Sequence, residues 1–142
     1  MRSNLMYNLQ YRQLTENDYH NFLVKWWKDN RFTPPPIDFL PNNGKDGIVV
    51  FDVDTNTNIA AGFVYITNSE VAWIEFIVSN FEVKNKELRK QAIEFLIKQL
   101  TITTGKKYHF SSIKNPNLIK HFVNSGFIIG TQNTTELISV TK

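Results

Sequence analysis

Residues 71–100 read VAWIEFIVSNFEVKNKELRKQAIEFLIKQL, and a change of period inside this stretch decides the fold class. Val71 to Val78 is an apolar, β-branched and aromatic run interrupted only by Glu75, the composition of a buried strand. Leu88, Ala92, Phe95, Leu96, Gln99 and Leu100 then recur at helical spacing, so a long helix comes next, with Gly105 as its stop. Between strand and helix, four of the seven residues Lys84 to Lys90 are basic. Unpaired N–H groups already make a helix N-terminus partly positive, so cations gathered there call for an anion, and a bound phosphate would answer that need. With Glu87 included the window carries +3, the formal charge of the whole chain, and the other bases and acids balance. The basicity is local. A solvated basic face is the competing reading of the same residues.

Upstream, Gly47 to Val53 and Asn58 to Ile66 are two more β-rich runs. The connections Asp54 to Thr57 and Thr67 to Glu70 are short enough for hairpins, which predicts an antiparallel meander ending in the strand at 71–78. Tyr7 to Leu14 alternates as a first strand, and Thr15-Glu16-Asn17-Asp18 supplies capping chemistry for a helix reaching Trp27 or Lys28. Pro34-Pro35-Pro36 imposes an extended segment, and Asn42-Asn43-Gly44 a turn. Downstream, the pattern gives a strand over Tyr108 to Ser112, a short helix over Asn117 to Asn124, and final strands over Phe127 to Gly130 and Glu136 to Val140. This order predicts a single α/β domain over residues 1–142 with a mixed sheet.

Composition narrows the function class. A chain of 142 residues sustains one core without staples. The absence of cysteine excludes disulfides, thiolate zinc sites and a Cys nucleophile, and three scattered histidines argue against a metal site. Met1 to Leu14 has no continuous apolar core of the signal type. The longest apolar run, Ile59 to Ile66, is too short to cross a bilayer. A soluble cytoplasmic protein is expected, without a membrane partner. Net charge of only +3 and the lack of a recognition module make nucleic acid the weaker partner.

From Val71 to Phe127 the chain resembles the GNAT superfamily of N-acetyltransferases, and in particular the small acetyltransferase-like proteins of tailed bacteriophages. The likeness is carried by the strand ending Phe76-Ile77-Val78-Ser79, the basic loop opening a helix, and Asn115, Leu118, Gly126 and Phe127 in the last stretch. Tyr11, Leu14, Thr15 and Asp18 at the start add to it. The resemblance implies a mixed, mostly antiparallel central sheet flanked by helices, with the fourth and fifth strands splayed. It also implies acetyl transfer from acetyl-CoA, as cosubstrate, to an amine. By position, Ile77 and Val78 would offer backbone contacts to pantetheine and the thioester oxygen, and Arg89, Lys90, Gln91 and Ala92 would fall on the phosphate loop. Two residues depart from the pattern. Lys90 stands where the loop has Gly, and Phe122 where the family commonly has the Tyr that protonates the departing thiolate; His121 is about 100° around the helix from it.

Glu75 is the candidate base. A carboxylate in an apolar strand is costly unless paired, hydrated or used, and strand alternation puts it on the face of Trp73 and Ile77, where desolvation would raise its pKa. A Glu paired across the sheet or facing solvent is the equal alternative. Ser111 and Ser112 read as amide-binding or turn-capping residues. Asn115 reads as a helix cap or a pantetheine contact. Trp26 and Trp27 read as anchors of the first helix, with Phe32 and Pro34 to Pro36 as a candidate acceptor wall, and His20 and His109 as structural. A catalytically silent binding protein on the same scaffold is the alternative class, and exposed strand ends are compatible with a homodimer.

Overall fold

Strand β1 (Leu9–Gln13) opens a five-stranded sheet that continues in chain order through β2 (Gly47–Asp52), β3 (Thr57–Ile66), β4 (Val71–Ser79) and β5 (Tyr108–Phe110). The first three pairings are antiparallel and β4–β5 is parallel, because only the last passes through a long helix. That helix is α3 (Lys86–Thr103). The computed structural model describes residues 7–141, and the expectation for Met1 to Met6 lies outside the described residues. Among the described residues no helix is long and apolar enough to cross a membrane.

The sheet is covered on both faces. On one, Ile48, Val50, Val64, Ala72 and Ile74 pack with Ala92, Ile93, Leu96, Ile97 and Leu100 of α3 and with Phe122 of α4 (Pro116–Asn124). On the other, Val49, Ala61 and Phe63 pack with Leu14, Leu23, Trp26, Trp27 and Leu40. The alternation of Val49 against Ile48 and Val50 is the period-2 pattern that assigns each strand side chain to a layer.

The first helical run is not one regular helix. A short α1 (Glu16–Asp18) passes into a π-helical stretch (Tyr19–Leu23) and then α2 (Val24–Asp29). Its start is tied to β1: both guanidinium nitrogens of Arg12 donate to the Asp18 carboxylate, at 2.9 and 3.0 Å, and the Thr15 N–H donates to it at 2.7 Å. Burial pushes this carboxyl up, but the bonds from Arg12 and Thr15 outweigh it and hold Asp18 below its ordinary value. A depressed carboxyl stabilises the fold above its unfolded pKa and loses that contribution as pH falls through the folded value. Asp18→Asn is therefore expected to cost about 1–3 kcal/mol at pH 7, with the difference from wild type closing in acid, as read by urea melts at the two pH values.

Three expectations are corrected. The first-helix segment carries a π-helical stretch over Tyr19–Leu23, and its packed side chains Tyr19, Phe22, Leu23, Trp26 and Trp27 all join one core layer. Strand β5 stops at Phe110, not Ser112. The final strands at 127–130 and 136–140 do not form: Ile128 and Leu137 are 90% and 88% exposed, and their segment has no strand pairing. β-propensity needs a partner ladder and a face to bury. Beyond Phe127, which packs edge-on to Phe122 at 5.0 Å, neither is supplied.

Candidate functional site

Phe76 breaks β4. Its φ of +58° lies in the left-handed region, at a cost of about 1–2 kcal/mol for a residue with a Cβ, and the β3–β4 register shifts opposite it, between Ala61 and Phe63. The bulge reverses the facing of the residues beyond it. Ala72 and Ile74 point to α3, whereas Phe76 and Val78 join the Trp27 layer and Ile77 turns to the α3 side. Glu75 and Ile77 thus do not share a face, contrary to simple alternation; Glu75 lies beside Phe76 instead.

Gly62 makes room for the turned Ile77. A Cβ there would stand 2.6 Å from Ile77 Cδ1 and 3.1 Å from Leu100 Cδ1. Gly62→Ala is expected to destabilise the protein by about 1–3 kcal/mol through overpacking, measured by thermal or urea unfolding.

Past the bulge, no strand among the described residues pairs with the far edge of β4, and at its end the Ser79 carbonyl accepts from the Asn30 side-chain amide at 3.0 Å. β5 pairs with β4 only at Val71–Tyr108, Ala72–His109 and Trp73–Phe110. Ser111 Oγ then donates to the Ile74 carbonyl at 2.6 Å and the Ser112 N–H donates to the Glu75 carboxylate at 3.2 Å, after which the chains part. Among the described residues no strand covers that edge from Glu75 to Ser79, so the fourth and fifth strands splay as expected.

Glu75 sits in a cleft of about 350 Å³ lined by Phe39, Tyr65, Phe76, Ser112, Glu136 and Ile138. Burial is the main cause that pushes its carboxyl up to about 7; the Ser112 N–H opposes this and the charge of Glu136 adds to it. Tyr65 donates to the Phe39 carbonyl at 2.8 Å, and burial, with the charge of Glu75, pushes its phenol up to about 12. Near neutral pH the cleft therefore holds a carboxyl poised to exchange a proton beside a phenol that keeps its own.

The mouth of α3 is more self-contained than its charge suggests. Asn85 caps it by accepting from the Leu88 N–H at 3.1 Å, and the Arg89 N–H bonds the Asn85 carbonyl at 3.1 Å. Lys84 donates to the Phe81 carbonyl at 3.1 Å and lies 4.1 Å from the Phe81 ring centroid. Arg89 donates to the Val83 carbonyl at 2.9 Å, and Lys90 lies 3.7 Å from Glu94. Backbone carbonyls and one acid thus meet most of the local charge. Among the described residues, the N–H groups of Lys86 and Glu87 and the Lys86 ammonium have no partner.

Arg89, Lys90, Gln91 and Ala92 consequently lie within α3, not on a loop before it. Their N–H groups belong to the helical ladder or its cap, Gln91 donates to Glu87 at 3.0 Å, and Ala92 is fully buried. The N–H groups without partners lie upstream, at Lys86 and Glu87. Asn115 caps α4, accepting from Asn117 and Leu118 at 2.8 and 3.2 Å. Phe122 is a core residue, 4% exposed, and His121 is turned to Glu94 at 3.0 Å. His109 pairs with Thr104 at 2.6 Å, while exposed His20 lies edge-on to Tyr19. Sequence reasoning missed Phe39, Tyr65 and Glu136; they come from distant segments, and no local pattern joins them.

No protein-family profile matches the sequence, and no curated protein does. Solved structures do. Glucosamine-6-phosphate N-acetyltransferase from Arabidopsis thaliana is 13% identical, with a TM-score of 0.60 over 93% of this chain and 99% of that one. An aminoglycoside acetyltransferase from an uncultured soil metagenomic sample is 16% identical, with a TM-score of 0.60 over 94% and 97%. A probable acetyltransferase from meticillin-resistant Staphylococcus aureus is 16% identical, with a TM-score of 0.62 over 96% and 100%. At such identities the likeness establishes the fold, the α/β fold of GNAT-type acetyltransferases.

Proposed function

We propose that the protein transfers an acetyl group from acetyl-CoA to an amine. The observation that carries this reading is the uncovered β4 edge that begins at the Phe76 bulge and adjoins the Glu75 cleft. An exposed strand edge receives an extended, amide-bearing arm such as pantetheine through main-chain hydrogen bonds, whatever the side chains; Ile77 and Val78 lie on this edge. The first N–H groups of α3, with Lys86, suit a pyrophosphate. The residues present therefore fit acetyl-CoA, which when bound supplies the activated acetyl group.

Glu75 takes the proton from the acceptor ammonium, directly or through one water, and frees the nitrogen lone pair. A backbone N–H of Ile77 or Val78 stabilises negative charge on the acetyl oxygen. The new N–C bond forms, the C–S bond breaks, sulfur leaves with the electron pair, and the second proton shed by the acylated nitrogen passes to water. Phe122 has no proton to give and His121 faces Glu94, so water protonates the thiolate. With a thiol pKa of about 8.5, that leaving group is tolerable and turnover is slow. A catalytically silent binding protein is the second reading, favoured specifically by the buried Phe122.

Calorimetric titration with acetyl-CoA, compared with 3′-dephospho-CoA and pyrophosphate, tests the proposal. Saturable acetyl-CoA binding is expected, weakened about 2- to 5-fold by Lys86→Ala, an exposed charge contact. Absence of binding at millimolar ligand in folded protein would overturn it. Binding without turnover across an amine panel would favour the second reading.

A further inference from the structure

We propose that the acceptor is a compact aliphatic amine carrying a second cationic group, one ammonium facing Glu75 and the other held by Glu136. This assignment rests on the acetyl-transfer reading and narrows its acceptor. The cleft lining contains Glu75 and Glu136, the aromatic residues Phe39, Tyr65 and Phe76, and no Lys, Arg or His. Four separate parts of the chain build it: β4 gives Glu75, β3 gives Tyr65, the turn Ile37–Phe39 gives Phe39, and the segment after α4 gives Glu136. Among the described residues neither carboxylate has a cationic partner. Glu75 receives only the Ser112 N–H.

Two carboxylates that line one cleft, with no base beside them, favour a cation there through charge. The mutual repulsion is already felt, since the charge of Glu136 strengthens proton binding at Glu75. An acceptor with a phosphate or carboxylate tail would meet both acids and no base. One with a neutral tail would gain nothing from Glu136. The volume, about 350 Å³, is at the small end of ligand pockets, which run from about 300 to 1,000 Å³, and suits a short chain. In the reaction one ammonium gives its proton to Glu75 and its nitrogen is acylated, its second proton passing to water, while the other stays protonated at Glu136, so the product is a monoacetylated cation.

The test uses 1,4-diaminobutane, n-butylamine and 4-aminobutanoate, which share one amine and a similar span but end in positive, neutral and negative groups. Each is titrated into the full chain without acetyl-CoA and followed by nuclear magnetic resonance shifts. The diamine is expected to bind about 5-fold more tightly than butylamine, with 4-aminobutanoate weakest. Glu136→Gln, at an exposed position, is expected to remove the diamine's advantage and leave butylamine within about 2-fold. Equal affinities, a preference for 4-aminobutanoate, an unaltered preference in Glu136→Gln, or no amine binding at tens of millimolar would each overturn the assignment. Acetyl-CoA titrated into the same sample separates the two claims. Cofactor binding without the diamine preference overturns only the acceptor, whereas the preference without cofactor binding upholds the cation site and overturns acetyl transfer.

Discussion

Replacing Glu75 by Gln is expected to slow acetyl transfer by about 10²- to 10⁴-fold, the range for loss of a positioned general base, and to make the protein more stable above neutral pH. Both effects come from one fact. Burial holds the Glu75 carboxyl up at about 7, so the fold prefers the protonated form and the reaction needs the ionised one. A carboxyl raised in the folded state contributes stability that is present below its unfolded pKa and lost as pH rises through the folded value, here between about 4.5 and about 7. The glutamine variant should therefore lose less stability than wild type over that window. In wild type, kcat/KM should rise with pH through about 7; in Glu75→Gln that inflection should vanish. A Glu that merely pairs across the sheet would give the opposite stability result. Unfolding curves at pH 5 and pH 8, with a pH–rate profile, distinguish the two.

Trp27→Ala is expected to destabilise the protein by about 3–5 kcal/mol, the range for truncating a buried large aromatic. Trp27 is 1% exposed; it stacks on Phe63 with centroids 6.5 Å apart and meets Phe76 edge-on at 6.4 Å. Its loss opens a cavity directly behind the left-handed Phe76. The strained bulge persists because its surroundings over-determine it, so the same variant is expected to weaken acetyl-CoA binding at a temperature where it remains folded. Trp27→Phe separates packing from polarity. The indole N–H has no partner among the described residues, so a smaller ring removes an unpaired buried donor while retaining most of the contact. A cost of less than half that of Trp27→Ala, in urea melts, is the expected outcome.

The sheet was legible in the sequence wherever periodicity was strong and partners were close in the chain. The β2–β4 meander is implied by its short polar connections, and α3 by the spacing of Leu88, Ala92, Leu96 and Leu100. The Phe76 bulge carried no such signal, because a left-handed phenylalanine contradicts its local preference and is held there by Trp27 and by the space at Gly62. Simple alternation therefore put Glu75 and Ile77 on one face. The basic window was visible, but its internal carbonyl and Glu94 partners were not, and with Arg89 to Ala92 inside α3 the N–H groups left without partners are those of Lys86 and Glu87. Glu75 was singled out by its cost in an apolar strand. Its companions Tyr65 and Glu136 were hidden, because only the tertiary fold brings them together. The C-terminal alternation showed the opposite failure: Phe127 to Gly130 and Glu136 to Val140 have strand composition without a ladder to join.

Backbone amide shifts of the isotopically labelled protein, monitored while acetyl-CoA is added, would locate the cofactor directly. The expected result is that the largest changes fall on the N–H groups between Glu75 and Ser79 and on those of Lys86 and Glu87, the uncovered strand edge and the open mouth of α3. Saturable changes elsewhere, with these two segments unmoved, would contradict the assignment of the β4 edge as the seat of the acetyl donor.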